Sequence, residues 1–186
     1  LQSLVPVGLT AVCFYILLFI FPNAPVYVWV VFVVLMGFSV TSLFSKHSIN
    51  QIVLSSALAI LAGNWVMNTH FYPELFKYQP GKWAAQFVAE ENIPKKQIFI
   101  ASSNAFYSFE FYANHTFYNV NGPQFNQAMT KNSEAWIYVN ERSLAAVQKQ
   151  FAKNEIVATF PSYHISKLTP KFLNPATREA ELENNY

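Results

Sequence analysis

LVPVGLTAVCFYILLFIF, residues Leu4 to Phe21, contains no charged side chain, and the silence extends well beyond it. The first Asp, Glu, Lys or Arg of the chain is Lys46 and the next is Glu74, so all but one of the formal charges lie from Glu74 onward. The overall 12% of charged residues therefore describes neither part of the molecule. A helix rises about 1.5 Å per residue and needs about 20 mostly apolar residues to cross a bilayer core of about 30 Å. Three segments fit that requirement as sequence: about 4–21, 26–44 and 49–67. Pro22-Asn23-Ala24-Pro25 breaks the first from the second, since proline cannot continue a helix. Gln51, Ser55, Ser56 and Asn64 interrupt the third, which suits a helix that faces protein or a water-filled cavity.

The expectation is thus of transmembrane α-helices at residues 1–68. A secretory signal peptide is excluded by the missing basic start and by apolar sequence running far past any cleavage site. The chain begins at Leu1 without Met, which suggests a piece of something longer. Positive residues prefer the cytoplasmic side, so Lys46 in Ser45-Lys46-His47-Ser48 would put that connection inside and everything after about Asn68 outside. Cys13 is the single cysteine and lies within the first segment, so no disulfide is expected.

Residues 69–79 alternate aromatic rings with His70, Glu74 and Lys77, a pattern that suits an interfacial juxtamembrane segment. From 80 to 170 the pattern reads as a small α/β domain with a mostly parallel, Rossmann-like sheet. Helices are expected at Pro80–Glu91, Ala105–Tyr112, Gln124–Thr130 and Glu141–Phe151, the last capped by Asn140. Strands are expected at Gln97–Ala101, Phe117–Val120 and Ala135–Val139. A closing hairpin, Glu155–Phe160 with Tyr163–Leu168, would turn at Pro161-Ser162. The polar tail 171–186 is expected to fray.

Chemistry is sparse. All ten acidic residues are glutamate, which removes Ser-His-Asp triads and aspartyl nucleophiles. His47, His70, His115 and His164 show no metal-ligand spacing, no glycine-rich phosphate loop occurs among five glycines, and no metal or cofactor is implied. A net charge of +2 with scattered lysines disfavours nucleic acid. Two sets remain as candidate ligand-binding residues in the domain. Ser102, Ser103 and Asn104 end the first strand, where an anion or hydroxyl-rich ligand could sit, although helix capping explains them more simply. Glu110 lies among aromatics in FYSFEFY, a mixture found on sugar-binding surfaces and also on core helices with one solvated glutamate. At the membrane surface, His70, Glu74 and Lys77 could meet a lipid phosphate or simply anchor the chain there.

Several apolar segments, the phrase HFYPELFKYQPG leading into a short α/β domain, and the terminal phrase YHISKLTPKFLNPATR (Tyr163 to Arg178) resemble the C-terminal end of bacterial multi-spanning glycosyltransferases. These are the relatives of protein O-mannosyltransferases and of the aminoarabinose transferase of lipid A. The resemblance implies an inner-membrane enzyme taking a sugar from a polyprenyl-phosphate donor, with membrane lipid around it and its C-terminal domain periplasmic. That family's catalytic acidic residues match no position in this sequence, so no catalytic residue is carried over. The alternative is a non-catalytic, membrane-anchored binding or assembly module.

Overall fold

The computed structural model describes residues 4–44, 49–101, 106–131, 135–151 and 153–186. The Ser45-Lys46-His47-Ser48 connection lies outside them. The chain divides into two compact units, one of residues 1–77 with 168–179 and one of residues 78–167 with 180–186.

The first unit is helical: α1 (Leu4–Tyr15), α2 (Val26–Phe44), α3 (Ile49–Val66) and α4 (Tyr72–Leu75), with α9 (Pro170–Leu173) and α10 (Pro175–Arg178) contributed by the tail. Pro6 is tolerated in the first turn of α1, where its missing N–H has no helical acceptor. Beyond Tyr15 the ladder widens into a π segment, Ile16–Ile20, closed by Phe21 N–H donating to Ile16 O at 3.0 Å. A second π segment, Met67–Phe71, follows α3. Asn23, in the left-handed region at φ 75°, turns the chain between α1 and α2.

α2 and α3 meet through small residues. Ser39 Oγ donates to Ser55 O at 2.8 Å and Ser55 Oγ to Ser39 O at 2.9 Å, a reciprocal clasp with both side chains fully buried. Ser55 therefore belongs to a helix contact, the role its position in an apolar run suggests.

The membrane expectation is overturned. α1 runs 12 residues before its ladder changes, α2 runs 19 and α3 runs 18, and among the described residues no helix is long and apolar enough to cross a membrane. The three expected spans and the integral-membrane placement with a periplasmic domain are corrected together. Part of the apolar side chains that suggested spans instead form the interior of this unit: Leu17, Val28, Phe32 and Val66 are all but fully buried.

The second unit contains α5 (Pro80–Glu90), β1 (Ile98–Ala101), α6 (Tyr107–Ala113), β2 (Tyr118–Asn119), α7 (Pro123–Lys131), β3 (Trp136–Val139), α8 (Glu141–Gln150), β4 (Phe160–Ser162) and β5 (Glu183–Asn185). Strands β2, β1 and β3 form a parallel sheet in that order, with Phe99 opposite both Tyr118 and Ile137. Alternation sends Ile98 and Tyr138 into one apolar cluster with Ala84, Val88 and Phe109 of α5 and α6. Phe99, Ala101 and Val139 enter the other, with Phe125 of α7 and Val147 of α8. Both faces of the short sheet are thereby covered, as near-continuous apolar strands require.

α5 and α6 approach closely at Gly81, where an added Cβ would lie 2.3 Å from Ser108 Oγ and 2.4 Å from Phe109 N. Asn140 caps α8, its Oδ1 accepting from Ser143 N–H at 3.0 Å, as its position before the helix suggests.

The Rossmann-like sheet is also corrected. It is a three-stranded parallel sheet of very short strands, and a separate two-stranded antiparallel sheet replaces the hairpin expected at 155–168. β4 pairs with β5 from the tail, Phe160 opposite Asn185, because strand formation there depends on a partner distant in sequence. The two sheets are linked where Asn140 bridges Asn185 and where Val139 and Tyr186 exchange backbone hydrogen bonds at 2.9 and 2.8 Å. The tail is folded, as α9, α10 and β5.

Candidate functional site

The residues singled out from sequence do not converge on one site. His70 is 2% exposed, and its Nε2 lies 2.7 Å from Phe21 O at the end of the first π segment. It ties two helix ends together within the first unit. Lys77 donates to both carboxylate oxygens of Glu74 at 2.7 and 2.6 Å, an i,i+3 pair on an exposed surface. Such a pair contributes about 0–1 kcal/mol. Ser102, Ser103 and Asn104 lie outside the described residues. Glu110 is half-buried on α6, and its Oε1 accepts from Phe117 N–H at 3.1 Å, so it fixes the backbone leading into β2. Cys13 is buried and burial pushes its thiol up, which suppresses the reactive thiolate.

Arg178, absent from the sequence candidates, organises the first unit. Its Nε donates to Phe172 O at 2.9 Å and its Nη2 to Ile20 O at 2.5 Å, while the guanidinium lies 4.3 Å from the Phe21 ring centroid. Ile20 and Phe21 carbonyls are thus met by Arg178 and His70, two buried polar side chains that satisfy acceptors a helix end leaves open. No grouping of three or more His, Cys, Asp or Glu that could hold a metal occurs among the described residues.

The second unit contains a groove of about 420 Å³, within the range of small-ligand sites. It runs along the outer edge of β3. Trp136, Ile137 and Tyr138 of β3 line it together with Ile156, Val157, Phe160 and Tyr186. Because β3 is the border strand of its sheet, the groove reaches around it to side chains of both apolar clusters, including Phe109 on one face and Phe125 on the other. The lining is mostly apolar, with Gln148, Lys153, Asn154 and Glu155 as its polar members. Ile156 and Val157 are about half exposed.

Among the lining residues, Tyr138 is held in place by a buried hydrogen bond. Its hydroxyl accepts from Asn185 Nδ2 at 2.9 Å, and both residues are buried. Burial pushes the phenol well above its ordinary range, against the smaller opposing effect of that hydrogen bond, so the ring is neutral at physiological pH.

The sequence marked 135–139 as a strand and 155–160 as one arm of a hairpin with 163–168, and nothing local in either segment shows a space between them. The available signal was the apolar run Ile156-Val157-Ala158 without a nearby charge on its far side. No family model, curated protein or solved structure matches this chain.

Proposed function

We propose that the chain is a non-catalytic binding module whose second unit takes up a ligand with an extended apolar portion in the groove along β3. The groove itself is the observation that supports this reading: an open apolar trough at a sheet border, with polar groups few enough to orient a ligand without dominating its binding. Catalysis finds less support in these residues. His70, Glu74 with Lys77, and Glu110 are each engaged in separate structural contacts. The resemblance to polyprenyl-phosphate-dependent transferases brings no catalytic residue to any position here.

Binding of an apolar peptide and of a long-chain fatty acid, each titrated against the wild type and Val157→Asp, tests the proposal. Val157 is exposed, so a carboxylate there leaves the core intact while placing charge in the groove. At least one ligand should bind the wild type and lose roughly tenfold or more in the variant, equivalent to about 1.4 kcal/mol. Equal binding to both proteins would move the site elsewhere.

A further inference from the structure

We propose that α6 carries a docking site for an arginine side chain of a partner protein, on the outward face of that helix and separate from the groove along β3. Phe109 and Ala113 turn one side of α6 into its apolar cluster, while Tyr107 and Phe111 are each 77% exposed. Residues three and four apart are neighbours on a helix surface. Tyr107 therefore stands beside both Glu110 and Phe111, so two aromatic rings and one carboxylate share a single patch.

The patch is held by its own neighbours. Glu110 Oε1 accepts from Phe117 N–H at 3.1 Å, which anchors the carboxylate, while Oε2 accepts no hydrogen bond among the described residues. The Phe111 ring packs edge-on against Tyr112, with centroids 5.3 Å apart and planes at 81°. A carboxylate and a ring already fixed in this way lose little freedom when a ligand arrives.

Charge selects the occupant. The ring faces are the negative part of the aromatic quadrupole, and Glu110 is an anion beside them. Lys95, which reaches the end of α6, donates to the Ala113 carbonyl, and among the described residues no cation lies over Tyr107 or Phe111. An apolar surface docked here would strip water from the carboxylate and return nothing to it. A neutral glycan would return hydrogen bonds but no charge. A lysine ammonium would return charge, but it is compact and strongly hydrated. A guanidinium can stack on a ring and donate from its edge to a carboxylate at the same time. The first unit already contains a related combination: the Arg178 guanidinium lies 4.3 Å from the Phe21 ring centroid while donating to the carbonyls of Ile20 and Phe172.

The experiment titrates four probes into the whole chain at low ionic strength, where screening is weak. They are a capped Gly-Ser-Arg-Ser-Gly peptide, the same peptide with lysine or with uncharged citrulline in place of arginine, and a neutral β-linked tetrasaccharide. The proteins are the wild type, Glu110→Gln and Phe111→Ser. Glutamine keeps an acceptor for Phe117 N–H and Phe111 is exposed, so both variants retain the core. The arginine peptide should bind the wild type and weaken about fivefold in Glu110→Gln and about threefold in Phe111→Ser. The citrulline and lysine peptides should both bind the wild type more weakly than the arginine peptide. Citrulline or lysine matching arginine, or arginine binding unchanged in both variants, would overturn the proposal. Binding of the tetrasaccharide alone, or of no probe, would overturn it as well. The groove is tested separately by Val157→Asp, so either reading can fail without the other.

Discussion

Single residues define the least forgiving points of the structure. Arg178 spans from α10 to the end of the first π segment with a planar donor set that lysine cannot reproduce. Arg178→Ala leaves buried carbonyls of Ile20 and Phe172 without those donors, and the expected loss is about 3 kcal/mol, read as a lower urea midpoint at unchanged slope. Arg178→Lys is expected to recover less than half of it. At Gly81 the obstacle to a side chain includes the Phe109 backbone nitrogen, which no rotamer change can move aside. Gly81→Ala should therefore destabilise the second unit by about 1–3 kcal/mol, despite alanine's better helix propensity. Tyr138 provides a pH signature. Below about pH 10, the ordinary phenol value, it is neutral both folded and unfolded. As pH rises through that value the unfolded chain loses the proton while the buried phenol retains it, so stability is lost with increasing pH. Denaturation midpoints on either side of that pH should fall less in Tyr138→Phe than in the wild type. A fall as steep in the variant would remove Tyr138 as the cause.

At the scale of elements, local chemistry was readable where local chemistry decides the outcome. Asn140 before an amphipathic run is a cap in sequence and in structure, and Asn140→Ala should cost about 1 kcal/mol by the same denaturation measurement. Asn92 and Asn114 both take left-handed conformations, at φ 54° and 47°, where α5 and α6 end. The expected hairpin at 155–168 failed for a different reason. A strand's hydrogen bonds come from its neighbour, and β4 obtains them from Glu183–Asn185 in a tail whose glutamates and asparagines read as solvated. Asn185 is nevertheless buried against Tyr138, and Tyr186 completes the edge of β3. No period in either segment records that pairing. The candidate groove was equally hidden, because it is the space left between two segments that each look like ordinary strand sequence.

Across the molecule, the charge-free opening marked correctly where composition changes but not what that change builds. An apolar run of this length can be buried by its own neighbours or left at a surface, and here it is divided between the two. Val26, Val30, Val33 and Phe38 of α2 are each more than half exposed, while Val28 and Phe32 on the same helix are buried. Exposed apolar residues in such numbers need an apolar cover in water. The isolated chain should therefore self-associate in plain buffer. Light scattering should report a smaller species with mild detergent, and Val30→Lys with Val33→Glu should reduce association without detergent. The binding proposal concerns the second unit, and amide hydrogen exchange with and without the apolar peptide or the fatty acid tests it most directly. Slowed exchange at residues 136–139 and 154–159, with the first unit unchanged, is the result expected of a ligand seated in the groove along β3. Protection confined to the helices of the first unit, or none at β3, would contradict it.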